Sequence, residues 1–488
     1  KKGEKTMKRS NKKGFTIVEL VIVIAIIAIL AAVLIPTFAS LIQKANTSAD
    51  IQACRQMNTY LAVNEVTADK TIVEVYEALK AGGMDAEDYK PLSSNTYYFW
   101  DAKLNRVLYT NDSYEVIYPD EYKNVKSTDA DHQWYSLTTE IKGDSNYSKT
   151  EAEGITTITV NSGGQLYQAV KDLERSGEIN LKTTGEGMTT HFENSINKNT
   201  VINITSDIDM MGASLSIGAV MSNVKLTING NGHTIKGVSN LDSGVVDAAL
   251  NDDNEKRDYY ASLIKYVDEN ATVEFNNIKF DNIVTGRKDV GSSGILIGKT
   301  KGTKTNVTFD GVVITNSTLY GKNKLGAFIG AQYSGGTKVT VKGNTKLENV
   351  KIISTEGESG ILFGSTSDGG VNTAGILIDK DLMSDLDNFI KNCSVVCESS
   401  KMYDATFSEG LNQTYDGKVV EKDKNNGYRP TTAYFGFAGA AKDTVKFTMN
   451  GTEYTATNFN AINTYDQAVA AGWVYDFTTN QAVTANGN

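Results

Sequence analysis

Proline is scarce in this chain of 488 residues, which contains only 4 where average usage predicts about 24. Proline cannot donate to a β-ladder, so its scarcity suits a chain whose backbone N–H groups are needed between strands. Glycine is plentiful at 43 residues, and it forms the turns that such strands require. The two counts together favour a β-rich body with many turns.

Cysteine and histidine are also scarce, with three of each. Three cysteines exclude a disulfide-framework protein. Because no histidine has a cysteine or histidine partner nearby in the sequence, we expect no zinc site, and no cofactor is indicated.

Basic residues are outnumbered, at 48 against 58 acidic ones, which gives a net charge of −10. Nucleic-acid-binding proteins normally have the opposite balance, so we expect no nucleic-acid partner.

The charge is unevenly distributed along the chain. Residues 1–14 contain seven Lys or Arg and one Glu, a local charge of +6. The remainder has 41 basic and 57 acidic residues, or −16.

The length suits two or three domains rather than one.

One long apolar run, Phe15 to Ile35, follows this basic segment and is interrupted only by Thr16 and Glu19. As a helix its 21 residues would span about 31 Å, the thickness of a bilayer core. The preceding positive charges would keep the N-terminus in the cytoplasm. A signal peptide is the first alternative, but the run is long and lacks an A-x-A site. A plain anchor is the second, and it leaves the carboxylate of Glu19 without a partner in hydrocarbon.

The segment Gly14-Phe15-Thr16-Ile17-Val18-Glu19-Leu20, between a basic leader and an apolar helix, resembles the N-terminus of type IV prepilins and pseudopilins. The resemblance implies that a prepilin peptidase cuts between Gly14 and Phe15, and that Phe15 is then methylated. It also implies that Glu19 pairs with the N-terminal amine of a neighbouring subunit. A buried carboxylate needs a cation, and the amine made by cleavage supplies one.

Two further residues belong to the same assembly element. Thr16 lies beside Glu19 in the motif, and Pro36 stands where the family often has a helix-kinking proline. Beyond it, apolar residues recur from Phe38 to Leu61 at three- and four-residue spacing, which predicts that the helix continues to residue 64.

The next 90 residues predict a small α+β head and a connection. A short helix, a two-stranded hairpin and a third strand are indicated, which resembles the plan of a pilin head over 65–119. Residues 120–154 are polar and aperiodic, so they are predicted as a linker or irregular crossover. The predicted elements are Thr71–Leu79 (helix), Thr96–Trp100, Arg106–Tyr109 and Ser113–Tyr118 (strands).

An internal repeat of about 33 residues occupies the C-terminal part of the chain. Glycine-bounded motifs begin at Gly294, Gly326 and Gly360, at spacings of 32 and 34 residues. Alternating strands follow, with their register marked by three valines and an upstream copy at Leu226. A late copy is predicted over 434–451. The register valines are Val273, Val307 and Val339.

Three short strands per repeat, turned by Gly, Asn and Asp, predict a right-handed parallel β-helix over 155–475, with a tail at 476–488. Asparagines at equivalent turns, Asn229, Asn276 and Asn277, can stack as amide ladders. An amphipathic helix over 163–175 would cap the open end of the stack. The repeat resembles that of bacterial surface adhesins. The fold class is therefore an α+β pilin-like N-terminus, with a long hydrophobic helix and a small antiparallel sheet, followed by an all-β parallel β-helix. β-Sandwiches are the alternative.

Candidate chemistry is sparse in this β-rich part. Asp207 and Asp209 alternate on one strand and could share a face, as the carboxylates of a polysaccharide lyase or hydrolase would, although turn residues of this kind are commonly structural. Cys393 and Cys397 are four apart, which allows a disulfide across a tight turn but not along a strand, and two buried thiols are the alternative.

Together these features predict a type IV pilin-like surface protein, first a single-pass membrane precursor (leader 1–14, helix 15–64 with membrane segment 15–35) and then part of an extracellular filament. We expect a minor or tip subunit with no enzymatic activity. Its partners would be other pilins through the helix, the prepilin peptidase, the cytoplasmic membrane before assembly, and a surface glycan or protein. A surface-anchored polysaccharide-degrading enzyme and a secretion-system pseudopilin are the alternatives.

Overall fold

The described part of the chain covers most of the first 400 residues and six short strands beyond them. The structure is a computed structural model that describes residues 16–67, 70–84, 90–129, 131–180, 189–241, 261–286, 291, 293–301, 304–333, 337–368, 375–379, 382, 386–397, 411–415, 418–419, 445–449, 452–456, 474–476 and 481–483.

Helix α1 (Ile17–Val63) contains 47 residues and confirms the long apolar N-terminal helix. Pro36 lies inside it, and the helix continues on both sides. The large apolar side chains from residue 17 to residue 42 are exposed, whereas Cys54, Met57 and Leu61 are buried. The predicted apolar stripe therefore packs against the head only in its C-terminal part.

The head consists of helix α2 (Ile72–Ala81) and a four-stranded antiparallel sheet. The predicted helix, hairpin and third strand are confirmed within a few residues. A fourth strand falls in the segment predicted as a linker. The strands, in spatial order, are Val116–Tyr118, Arg106–Asn111, Thr96–Asp101 and Trp134–Ser136.

Residues 120–154 are built into the fold on both sides rather than running freely between two domains. They contain a 3₁₀ turn at Asp120–Tyr122, the fourth head strand, and the strand Ser148–Ala152. That last strand pairs antiparallel with Ile155–Val160, where the β-rich part begins. The prediction was wrong because Trp134–Ser136, although buried, is too short to show apolar alternation, and Ser148–Ala152 is exposed and needs none.

Three sheets form the β-rich part, and all are parallel except at their margins. Along the chain, a strand of the second sheet is followed by strands of the first sheet and then by a strand of the third, and this order repeats. The first sheet contains, in spatial order, Gly375–Ile378, Lys338–Lys342, Asn306–Thr315, Thr272–Asp281, Lys225–Asn229, Asn199–Ile204, Ile155–Val160 and Ser148–Ala152, with Ile208–Asp209, Thr234–Lys236, Lys346–Glu348 and Ile390–Lys391 beside this path. The second contains Ile217–Val220, Ile264–Val267, Ile297–Lys301, Ile329–Tyr333 and Phe363–Asp368. The third contains Ser239–Asn240, Val284–Thr285, Thr318–Leu325, Lys351–Ser359, Cys393–Cys397, Leu411–Tyr415 and Lys418–Val419.

The predicted register of the repeat is confirmed strand by strand. Val273 pairs with Val307, and Val307 with Val339. Leu226 pairs with Val273, so the 47-residue spacing of the upstream copy reflects an insertion and not a different register. Gly294 and Gly326 form a parallel bridge at the next corner.

Asparagines hold two columns of this stack together. In the predicted ladder, Asn276 Nδ2 donates to Asn229 Oδ1 at 3.1 Å, and Asn229 Nδ2 donates to Asn203 Oδ1 at 3.0 Å. Asn277 instead bends the backbone, with φ of 45°, and its carbonyl accepts from the N–H of Gly232. The ladder therefore runs through Asn203 rather than through Asn277.

A second asparagine column, not predicted from the sequence, marks the corner between the first and third sheets. Asn282, Asn316, Asn349 and Asn392 all have left-handed backbones with φ of 50–55°. Asparagine tolerates this conformation better than other non-glycine residues. Asn349 Nδ2 donates to Asn316 Oδ1 at 3.0 Å, so these turns are also linked through their side chains.

The interior of the stack is apolar and contains a column of phenylalanines. The rings of Phe275 and Phe309 stack at 5.5 Å, and those of Phe309 and Phe328 at 4.5 Å. Helix α3 (Gly163–Lys171) covers one end with its buried Leu166 and Val170, which confirms the predicted capping helix, although it ends four residues early. A short helix α4 (Leu386–Phe389) precedes Ile390–Lys391.

The predicted late copy of the repeat is wrong where the structure describes it. Val445–Met449 pairs antiparallel with Thr452–Ala456 in a separate hairpin. Val474–Asp476 and Gln481–Val483 form another hairpin, across the predicted start of the tail. The glycine motif at 434–439 lies outside the described residues. Among described strands, parallel pairing ends at Leu411–Tyr415. One further two-stranded pair is Ile179–Asn180 with Thr189–Thr190.

A disulfide between Cys393 and Cys397 is incompatible with this fold. The five residues form a strand, so their Cα atoms lie about 13 Å apart, beyond the 4.4–6.8 Å that a disulfide allows. Cys393 is a buried free thiol that donates to the carbonyl of Lys391 at 3.3 Å. The sequence left open a disulfide or two buried thiols, and in the structure Cys393 is a buried thiol.

The head and the parallel sheets share packed surfaces. Tyr320 and Ile353 of the third sheet belong to the same apolar cluster as helices α1 and α2. The hydroxyls of Thr71 and Tyr320 lie 3.2 Å apart, and Asn282 Nδ2 donates to Tyr135 Oη at 2.7 Å. The two parts therefore meet through both apolar and polar contacts.

Candidate functional site

The first turn of α1 is closed by a reciprocal capping box. The backbone N–H and the hydroxyl of Thr16 donate to Glu19 Oε2 at 2.8 Å and 2.7 Å, and the N–H of Glu19 donates back to Thr16 Oγ1 at 3.3 Å. Such a box satisfies N–H groups that the first helical turn leaves without partners. The two motif residues predicted to act in assembly are therefore brought together within one chain.

The helix beyond this cap presents an apolar surface that no other described part of the chain covers. Ile17 is 81% exposed and Phe38 is 58% exposed, and the large apolar side chains between them are exposed as well. Within the described residues this is the one helix long and apolar enough to cross a membrane. Soluble proteins rarely expose an apolar area of this size without a partner.

Pro36 interrupts the backbone hydrogen bonding of α1 without ending the helix. Proline has no N–H to donate to the residue four positions earlier. At the next residue, the hydroxyl of Thr37 donates to the carbonyl of Val33 at 2.9 Å. The position predicted for a helix-kinking proline is thus inside a continuous helix.

Asp50 ties the helix to the head, a role that sequence reasoning missed. Its carboxylate is buried and accepts from the N–H groups of Leu92 and Ser93, at 2.7 Å and 3.0 Å, and from the Tyr109 hydroxyl at 3.0 Å. Its carbonyl accepts from the Tyr98 hydroxyl at 2.9 Å. An aspartate on the apolar side of a predicted amphipathic helix was the signal that could have indicated this contact.

Asn58 and Cys54 extend this attachment along the edge of the head hairpin. Asn58 both donates to the carbonyl of Val107, at 2.9 Å, and accepts from its N–H, at 2.7 Å. Burial raises the pKa of the Cys54 thiol to about 12, and the thiol donates to the same carbonyl. α1 is therefore fixed to the sheet by side chains that mimic a neighbouring strand.

The predicted processing residues, Gly14 and Phe15, lie outside the described residues. The matching sequence, however, extends across them. Residues 9–35 match the family described as the prokaryotic N-terminal methylation motif. The N-terminus carries a type IV prepilin motif.

This prepilin motif is also where the chain is similar to a known pilin. Over 36 residues it is 67% identical to the type IV wide pilus major component PilA4 of Thermus thermophilus, which covers 7% of this chain. The chain spans only 28% of the length of that relative. No solved structure matches the chain. The motif and the apolar helix fit a membrane-anchored precursor.

A second candidate site is a cavity of about 580 Å³ between the loop 127–133 and the first sheet. Asp207, Asp209 and Asp281 line it, together with Lys236 and Lys279. The two aspartates singled out in the sequence therefore do face one space.

Each of these carboxylates already has a partner in the fold. Asp209 pairs with Lys236 at 2.9 Å, and Asp207 accepts from the N–H of Thr234 at 2.9 Å. That backbone bond lowers the pKa of Asp207, and the nearby His233 lowers it further. Asp281 accepts from Asn316 Nδ2 at 2.8 Å. Within the described residues, no group of three or more His, Cys, Asp or Glu side chains could hold a metal ion.

Proposed function

We propose that the chain is a subunit of a type IV pilus or pseudopilus, assembled through the exposed apolar half of α1. The observation that carries the proposal is the prepilin motif continuing directly into a 47-residue helix with uncovered apolar side chains. Such a surface is stable in a membrane before assembly and between packed helices afterwards.

Processing at Gly14–Phe15 is the first step of this function. Cleavage would remove the +6 leader and leave Phe15 as the methylated N-terminus. N-terminal sequencing or intact mass of the mature protein tests this directly: methylated Phe15 supports the proposal, and any other N-terminus refutes it.

The β-rich part would form a parallel β-helix that is displayed for adhesion or binding. Support comes from the fixed rotation of the chain through three parallel sheets and from the register of Val273, Val307 and Val339. A right-handed path is expected because crossovers between parallel strands are nearly always right-handed.

A minor or tip position follows from size. Cleavage would leave at least 474 residues, a bulk that would crowd a densely packed shaft. Immunogold labelling of surface filaments should place the protein at tips or at sparse positions. Dense labelling along shafts would indicate a major subunit, and labelling confined to the envelope would favour a secretion pseudopilin.

A polysaccharide-degrading enzyme is the second candidate, favoured by the convergence of Asp207, Asp209 and Asp281 with two lysines in one cavity. Paired carboxylates are the groups that glycoside hydrolysis requires. Incubation of the protein with a glycan panel tests it. Reproducible release of oligosaccharide, lost in Asp207→Asn, would establish the enzyme and overturn a purely structural role.

A further inference from the structure

A cavity of about 320 Å³ lies where helix α3 meets the head and the second sheet. Tyr167 and Lys171 of the helix line one side, Glu140 of the loop after the head sheet lines another, and Ser214 and Ser216 lead into the second sheet. The volume falls in the range of small-molecule sites, which lies at about 300–1,000 Å³.

The floor of this cavity is fixed by its own hydrogen bonds. Asn240 is 2% exposed, and its Oδ1 accepts from the N–H of Leu215 at 2.9 Å and from Ser214 Oγ at 3.1 Å. Its Nδ2 donates to the carbonyl of Leu215 at 3.0 Å. The N–H of Ser214 donates in turn to the carbonyl of Thr139 at 2.7 Å. A ligand would therefore meet a preformed surface, which reduces the entropy lost on binding.

The wall formed by residues 192–194 is held just as closely. A Cβ at position 218 would lie 2.0 Å from the carbonyl oxygen of Glu193, so only glycine permits this approach. The N–H of Gly218 donates to the carbonyl of Asn194 at 3.0 Å, and Phe192 stacks on Tyr266 at 5.7 Å. The cavity thus has a rigid, partly apolar wall.

Charges around the cavity are balanced in sign. Lys171, Lys265, Glu140 and Glu193 line it, and Glu193 also pairs with Arg175 at 3.3 Å. Burial lowers the pKa of Lys171, but its hydrogen bond to Tyr167 and the negative charge of Glu140 outweigh this, so the net shift is upward and the ammonium persists at neutral pH. A strongly anionic or cationic ligand would meet as much repulsion as attraction.

We propose that this cavity binds one unit of a neutral saccharide. Hydroxyl groups of a sugar can donate to carboxylates and serine oxygens and accept from ammonium groups, while its C–H face packs on Val170 and Phe192. The inference rests on the proposed function, because it gives the displayed domain a ligand class, and it concerns a different cavity from that of Asp207.

Saturation-transfer NMR of the full-length chain tests the proposal, in a zwitterionic detergent that contains no sugar. The probes are the methyl glycosides of glucose, galactose, mannose and N-acetylglucosamine. At least one should bind with a dissociation constant of about 1 mM or tighter. Asn194→Gly, which keeps the left-handed backbone of that residue, and Lys171→Ala should each weaken binding about tenfold, a change equivalent to about 1.4 kcal/mol.

Lys198→Ala is the matched control, because this exposed lysine pairs with Glu151 away from the cavity and should leave affinity unchanged. Failure of all four glycosides to bind, or binding by both cavity variants that is as tight as that of the wild type, overturns the inference. Filament incorporation of the wild-type protein is scored separately. Normal incorporation without sugar binding would refute the saccharide site alone, and sugar binding without incorporation would refute the pilus subunit alone.

Discussion

Glu19 stands in an otherwise apolar stretch of helix and uses one carboxylate oxygen within its own chain. Thr16 donates twice to Oε2, whereas Oε1 accepts no hydrogen bond from a described residue. The capping box therefore orients the carboxylate and leaves Oε1 available, as the proposed pairing with an amine of a neighbouring subunit requires. This arrangement reconciles a carboxylate in the membrane segment with the assembly role proposed for it.

Glu19→Gln should abolish most filament incorporation while membrane insertion remains normal. The amide keeps an oxygen for Thr16 but has no charge to attract an amine. Membrane fractionation and quantification of sheared filaments measure the two effects. Glu65→Gln, just beyond α1, is the control and should assemble normally; normal assembly of Glu19→Gln would remove the proposed role.

Asp50→Asn should lower the stability of the head by about 2–4 kcal/mol, because an amide nitrogen would replace one of two acceptors that face backbone N–H groups. Thermal unfolding in detergent measures the loss. The exposed Asp129→Asn should leave the midpoint nearly unchanged. Equal midpoints for the two variants would contradict the anchoring role of Asp50.

The thiols of Cys54 and Cys393 should resist alkylation at pH 8 in the native protein and react fully after denaturation. Burial raises the pKa of each to about 12, so the reactive thiolate is a minute fraction at that pH. Peptide mapping after timed alkylation measures protection. A disulfide-linked peptide containing Cys393 and Cys397 would contradict the strand geometry.

Among the structural elements, the repeat strands were the most predictable. Valines at alternating positions, glycine at close approaches and a constant spacing all depend on local sequence, so the register of Val273, Val307 and Val339 could be predicted. The left-handed corner at Asn282, Asn316, Asn349 and Asn392 was missed although its first spacings follow the repeat, because asparagine is common in this chain and the backbone conformation depends on pairing between coils.

The residues of the candidate site also differ in how far the sequence could predict them. The motif around Glu19 is contiguous, so its residues could be predicted together. The attachment of Asp50 depends on Leu92, Ser93 and Tyr109, which lie more than 40 positions away, so the helical pattern could single out the aspartate but not its partners. The segment 120–154 failed for a related reason, since its strands are defined by the neighbours they pair with.

The corner column can be tested with two substitutions at one residue. Asn316→Gly keeps a residue that adopts the left-handed backbone easily but loses the side-chain hydrogen bonds to Asn349 and Asp281. Asn316→Ala loses the same hydrogen bonds and also disfavours the left-handed backbone. We expect a loss of about 1 kcal/mol for glycine and about 2 kcal/mol for alanine. Urea unfolding measures the difference; equal losses would mean that backbone strain has no part in the column.

At the scale of the whole molecule, the head and the parallel sheets share two apolar clusters, and the seam that contains Ile353 is one of them. Ile353 faces the cluster shared with α1 and α2, whereas its neighbour Ile352 faces the interior of the sheets. Alternation along the strand thus places adjacent residues in two different cores. The seam therefore joins α1 and α2 to the third sheet.

These two isoleucines make a matched pair for testing that coupling. The wild type should unfold in a single calorimetric transition because the two parts share a packed surface. Ile352→Ala should leave a cavity in the sheet interior and lower the free energy of unfolding by about 2–5 kcal/mol. The single transition should therefore move to a lower temperature. Ile353→Ala removes seam contacts instead, so the head should separate into a transition of its own. Two transitions in the wild type, or identical profiles for the two variants, would show that the seam does not couple the parts.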